Sequence, residues 1–385
     1  MKSSKNLLIY ILAVGVFGIL NTEMGYIGIL PNLADYFDVS VSTAGLLVSL
    51  FALAIAISGP TLPLVFSGIN RKKVMVMVLT IFVIGNIIAI FTTNFTIALI
   101  ARVIPAFFHP VYVSLAMSVA GTSVSPKEAP KAIAKVFIGV SAGMVLGVPI
   151  VSFIADTFSI QAALSFFAFV NILTLVATIL FVPSMPVKER LSYGSQLKIL
   201  TKGITWLSIF AVLFLNAGIF GVYSYLAEYL STVTNMPANL ISIMLFVYGL
   251  ANIIGNILAG KLLSERPIRT VTTFPIALIA LYLIFYPVAD LTVPTAIIIL
   301  LWGILGGLGA NITQYWVMSA APQAPDFANG VYLSSVNLGT TIGTMTAGMM
   351  ITQIGTREIL FVGVGALVVS FIFIVVRNAL YKTVG

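Results

Sequence analysis

Glu23, Arg102 and His109 stand out because each interrupts a long apolar run. A charge at the centre of a membrane-spanning helix costs about 2.5–3.5 kcal/mol, so such residues mark functional sites by default. Glu23 lies in Asn21-Thr22-Glu23-Met24-Gly25, with further apolar turns before Pro31. A carboxylate withdrawn from water there can take up and release a proton; the alternative is an idle, hydrated group near the outer interface. Arg102 and His109 are seven residues apart, about 700° of helix and so within about 20° of one face. An arginine does not discharge by losing its proton, so Arg102 must face a cavity or a partner. Its charge could couple a nearby carboxylate to substrate binding, or it could simply bond to helix carbonyls. His109 precedes Pro110, which removes a backbone donor and should loosen the helix. A lone histidine is also commonly just a packed core residue.

Uncharged polar and aromatic groups supply candidate substrate contacts. Asn216, Phe220 and Tyr223 share one helical face, as do Tyr248 with Asn252 and Asn311 with Tyr315. Asn337 sits among glycines, and Asn21, Ile27, His109 and Tyr112 complete the candidate lining. Amides in spanning helices serve equally well as interhelical hydrogen-bond glue, and Gly139, Gly143, Gly147, Gly339 and Gly343 suit close helix contact. Glu228 fits an interface residue, and Asp156 and Asp290 fit solvated turns. There is no Cys and one His. Thiolate or His-rich metal sites, disulfides and Cys nucleophiles are therefore excluded. No constellation supports an enzyme, and no cofactor is expected beyond protons as the coupling ion.

The elements that must position these residues follow from composition. Of 385 residues, 60% are hydrophobic and 8% charged, against about 25% charged in soluble domains. The mean hydropathy of +1.13 makes lipid the solvent. The net charge of +8 does not point to nucleic acid, because the basic residues merely punctuate apolar runs. Runs long enough to span, about 20 residues, fall near 6–30, 41–67, 74–93, 96–121, 132–155 and 160–182. A second set falls near 204–231, 239–262, 270–289, 294–320, 327–352 and 358–377. They are continuous rather than alternating, which favours helices over a β-barrel. Lys2 and Lys5 before the first run resemble a secretory signal, yet the run is too long and lacks a small-x-small cleavage site.

Orientation follows from the basic residues. With the N-terminus inside, all 19 lysines and arginines except Arg102 and Arg357 fall in cytoplasmic segments. Asp35, Asp38, Asp156, Asp290 and Glu358 fall on the other face. Both termini are expected in the cytoplasm, and the protein in a bacterial inner membrane.

The chain also repeats. Leu33-Ala34-Asp35-Tyr36 recurs as Leu226-Ala227-Glu228-Tyr229, offset by 193 residues; Arg71 answers to Arg266, offset by 195. Gly143-x-x-x-Gly147 answers to Gly339-x-x-x-Gly343, offset by 196. The expected fold is an all-α membrane protein with 12 transmembrane helices in two pseudo-symmetric six-helix halves. The halves are 1–182 and 204–385, joined by a cytoplasmic linker at 183–203. This is the parallel-repeat plan of the major facilitator superfamily, with a substrate site near the membrane midplane exposed alternately to each side.

Several stretches carry a closer resemblance. They are Asn21-Thr22-Glu23 with Gly28-Ile29-Leu30, Arg102-x-x-x-Ala106-Phe107-x-His109, and Gly139 to Pro149 ending Leu146-Gly147-Val148-Pro149. Trp302-Gly303, Ala321-Pro322, Asp326 and Asn337-x-Gly339 complete the set. On these, the whole chain resembles the twelve-span drug:proton antiporters of the superfamily, most similar to bacterial sugar-efflux and arabinose-efflux-like proteins. The resemblance implies Glu23 as proton site, Arg102 as its coupling partner and His109 as a cavity residue. Departures are Pro63, Ser67 and Asn70, where the signature loop carries Gly, Asp and Gly, and Pro105-Ala106 in place of Gln-Gly. The loop departures put gating by that loop in doubt, and Pro105-Ala106 points to a different local helix geometry in the fourth span. The expected function is proton-coupled export of a small molecule (sugar, nucleoside or amphipathic drug) by a protein that needs no partner chain. A proton symporter importing a nutrient, or an uncoupled facilitator or membrane sensor, would share the fold.

Overall fold

A chain surrounded by lipid must satisfy its own backbone donors and acceptors, and a continuous apolar segment does so as a helix. The computed structural model describes residues 2–125, 129–187, 194–322 and 325–381. Lys127, Lys188, Arg190 and Lys382 lie outside these residues, as do the side chains of Lys2, Lys5, Lys131 and Asp326. No strand occurs among the described residues.

The long helices of the first part are α1 (Lys2–Gly28), α2 (Val41–Ser58), α3 (Arg71–Phe91), α4 (Phe95–Thr122), α5 (Ala129–Thr157) and α6 (Ile160–Phe181). Those of the second part are α7 (Gly203–Tyr223), α8 (Ala238–Glu265), α9 (Pro267–Val288), α10 (Thr292–Ala320), α11 (Pro325–Gln353) and α12 (Ile359–Leu380). Eleven of these twelve are long and apolar enough to cross a bilayer. The remaining one, α11, is as long but carries many Ser, Thr, Gly and Asn residues. Each expected span is thus matched by a long helix. The second is the main departure: α2 stops at Ser58, and Gly59, Pro60 and Thr61 break the chain before a short helix at Leu62–Phe66.

Helix starts follow from local chemistry. Ser40, Asn70, Asn94 and Ser159 each accept a hydrogen bond from the backbone N–H three residues on, capping α2, α3, α4 and α6. The sequence repeat is also visible locally. Short helices at Leu30–Phe37 and Leu226–Thr232 follow α1 and α7, and they carry the Leu-Ala-Asp/Glu-Tyr pair.

Two compact units emerge: Met1–Val39 with Ile57–Ser192, and Ser40–Ala56 with Tyr193–Gly385. The division therefore differs from the sequence halves in one segment, since Ser40–Ala56 groups with the second unit. The reason is local. Thr341 donates to the Ser49 carbonyl and Ser334 to that of Ala56, while Gly45, lacking a side chain, lets the Tyr225 hydroxyl lie against its backbone.

Within the first unit α5 packs along α1. A Cβ on Gly139 would strike the Ala13 carbonyl, one on Gly143 would crowd Leu20, and one on Gly147 would crowd Asn21. Within the second unit α11 packs along α7 in the same way, with Gly339 on the Leu213 carbonyl and Gly343 on that of Ala217. These glycines are the close-contact residues that small-residue helix packing requires.

Candidate functional site

The first unit brings Glu23, Arg102 and His109 together across α1 and α4. Glu23 Oε2 lies 2.9 Å from His109 Nε2, with side chains only 10% and 8% exposed. Arg102 is also buried, and it bonds to the α1 backbone. Its Nη1 donates to the Thr22 carbonyl at 2.8 Å and its Nη2 to the Glu23 carbonyl at 2.9 Å. Its guanidinium lies over the Tyr26 ring, 3.5 Å from the centroid. Arg102 thus clamps the α1 backbone at the residue that carries the carboxylate, and its charge acts on Glu23 from there.

The surroundings fix this arrangement. Tyr26 stacks on Phe167 of α6 at 5.3 Å. Asn171, fully buried on α6, donates to the Thr22 hydroxyl at 3.0 Å, and that hydroxyl donates to the Gly18 carbonyl. The expected loosening at Pro110 leaves α4 a single helix, with both Pro105 and Pro110 inside it. Gly85 of α3 gives way to Pro105 and the Ala101 carbonyl, so the proline is accommodated from outside the helix.

The other sequence candidates of this unit are placed differently. Asn21 is fully buried at the α1–α5 contact beside Gly147, and neither polar atom of its carboxamide has a hydrogen-bond partner among the described residues. Ile27 is buried. Tyr112 lies one turn beyond His109, its hydroxyl against Gly15 of α1.

The degenerate loop before α3 ties elements of the same unit together. Asn70 caps α3 and donates to the Ser184 hydroxyl at 2.8 Å. Arg71 Nη1 donates to the Thr122 hydroxyl at the end of α4, and Lys72 Nζ to the Ile179 carbonyl of α6.

The second unit gathers a wall of rings and amides. Tyr223 stacks on Tyr248 at 4.6 Å, and Trp302 meets Tyr223, Tyr248 and Tyr282 edge-on. Phe220 meets Tyr223 edge-on. Asn311 donates to Asn256, which donates to Asn252, forming an amide relay between α10 and α8. Asn216 is used as glue: its amide nitrogen donates to the Val336 carbonyl and the Thr340 hydroxyl of α11. Asn337 turns its amide back to the Leu333 carbonyl of its own helix. Tyr315 is half-buried near Arg377.

Sequence reasoning passed over several participants. Tyr26 stands three residues from Glu23, and Asn256 four from Asn252, so helical spacing could have nominated both. Asn171 is a lone amide in an apolar span, which polarity alone flags weakly. Arg377 was placed among the cytoplasmic basic residues, yet it is buried, lies 3.7 Å from the Trp316 ring centroid and donates to the Trp316 carbonyl.

The sequence pattern of the Major Facilitator Superfamily matches residues 12–325. The chain belongs to that superfamily. It is 32% identical to the uncharacterized MFS-type transporter YtbD of Bacillus subtilis, covering 94% of this chain and 93% of the relative. It is 25% identical to a probable sugar efflux transporter of Helicobacter pylori, covering 93% and 92%. The fold is similar to that of the nucleoside transporter NupG, with a TM-score of 0.80, 17% identity and coverage of 98% and 100%. The superfamily protein described here is a multi-pass membrane transporter and not an enzyme.

Proposed function

We propose that this protein exports a small neutral or amphipathic molecule in exchange for protons, by alternating access, with Glu23 and His109 sharing the transported proton. The observation that carries the proposal is the buried contact between Glu23 Oε2 and His109 Nε2 at 2.9 Å, inside helices otherwise built for lipid. Arg102 acts as a positioning residue, since its two bonds to α1 carbonyls fix the backbone of Glu23. A proton bound at Glu23 removes the negative charge that faces His109 and Arg102, so it alters how tightly α1 and α4 are held together. That is the element of coupling.

The driving force is adequate. One charge moved through 100 mV is worth about 2.3 kcal/mol, enough for a gradient of roughly 50-fold at 1.4 kcal/mol per decade. The rings at Tyr223, Tyr248 and Trp302 and the amides at Asn252, Asn256 and Asn311 suit a sugar, a nucleoside or an amphipathic drug. The sugar-efflux name of a relative supports the same range. The distribution of basic residues supports both termini inside, and the bacterial relatives support a bacterial cytoplasmic membrane.

The test uses proteoliposomes and labelled arabinose, adenosine or ethidium. Glu23→Gln is expected to keep exchange of label across the membrane and to lose accumulation driven by a pH gradient. Undiminished accumulation by that variant would refute the assignment.

A further inference from the structure

α8 and α9 are joined by the single residue Arg266. Beside this corner a cavity of about 230 Å³ opens between α8, α9 and α10. Arg266, Arg269 and Thr273 stand at one end of it, and Phe274, Ala277 and Leu308 form its wall further along the helices. Both arginines are exposed, and neither makes an ion pair or a side-chain hydrogen bond among the described residues. The hydroxyls of Thr270 and Thr273 donate to backbone carbonyls, so the two guanidiniums are the donors on offer. Glu265 is exposed and lines no part of the cavity.

The apolar wall does not end at the cavity mouth. Ile284, two turns beyond Ala277 on the same face of α9, is exposed apolar surface, the kind that faces acyl chains. A soluble anion would use the arginines and leave this wall unused. A zwitterionic lipid would use the wall and bring an ammonium toward the arginines. A phospholipid with net negative charge matches both ends. The repeat counterpart in the first unit is arranged otherwise: Arg71 spends its guanidinium on the Thr122 hydroxyl.

We propose that this cavity binds an anionic phospholipid, with its phosphate at Arg266 and Arg269 and the start of an acyl chain against Phe274, Ala277 and Leu308. Basic pockets between spanning helices recognise such headgroups through charge and geometry together. The inference is independent of the proton reading, because no residue of the α1–α4 cluster takes part.

The test is native mass spectrometry of the delipidated full chain, titrated with phosphatidylglycerol, phosphatidylethanolamine and inorganic phosphate in parallel. Phosphatidylglycerol should bind more tightly than phosphatidylethanolamine. Arg266→Gln and Arg269→Gln should each weaken it by about 5-fold, the effect of one basic residue near a lipid headgroup. Ala277→Trp, which fills the wall without touching the charges, should weaken both lipids alike. Equal binding of the two lipids would overturn the proposal. So would a double arginine variant that binds phosphatidylglycerol like the parent, or displacement of the lipid by excess inorganic phosphate.

Discussion

Arg102 makes three kinds of contact at once: two hydrogen bonds to adjacent carbonyls, a ring face and the field of a carboxylate. A lysine has the charge but not the planar fork, so Arg102→Lys cannot reproduce the paired bonds. That variant should be less stable by about 1–3 kcal/mol, measured by thermal unfolding in detergent, and should lose gradient-driven accumulation. Parental stability and parental accumulation in that variant would mean that the clamp is dispensable and the charge alone suffices. These three ionisable groups were legible from the sequence because a charge in an apolar run is rare enough to be conspicuous. Tyr26 and Asn171 were not, since a tyrosine or an amide in a span costs little and has many uses. Arg377 was missed because a basic residue near the end of an apolar run looks the same whether it points to water or into the protein.

Helix contacts in each unit depend on backbone approach at glycines, and the dependence can be separated from helix propensity. Gly139→Ala puts a Cβ into the Ala13 carbonyl, whereas Gly365→Ala meets nothing within 4 Å. The first should destabilise the protein by about 1–3 kcal/mol, while the second should be neutral or slightly stabilising. Equal melting temperatures for the two variants would contradict the α1–α5 packing. Asn216→Leu removes the bonds from α7 to α11 and should cost about 0.6–2 kcal/mol; an unchanged melting temperature would show that those bonds carry no net stability. The helices themselves were readable from runs of apolar residues. The break after Ser58 was not, because Gly59-Pro60 lies inside a stretch that remains apolar on both sides. Pro105 and Pro110 mislead in the opposite direction, suggesting a disturbance where α4 continues unbroken.

At the scale of the whole molecule, the repeated sequence becomes repeated pairing inside each unit, α1 with α5 and α7 with α11, through glycines 196 residues apart. The repetition does not extend to chemistry. The first unit holds Glu23, Arg102 and His109, while the corresponding helices of the second hold Asn216 in an amide contact and a wall of rings. On the proposed function, protons are handled by one unit and substrate recognition draws on the other. Substrate identity was not legible in the sequence, because rings and amides recognise sugars, nucleobases and drugs by the same contacts. The most direct measurement is proton release from energised inside-out vesicles containing the protein, challenged in turn with arabinose, adenosine and ethidium. The account predicts compound-dependent loss of protons from the lumen that Glu23→Gln abolishes; movement of a labelled compound without proton loss, or unaltered proton loss in Glu23→Gln, would contradict it.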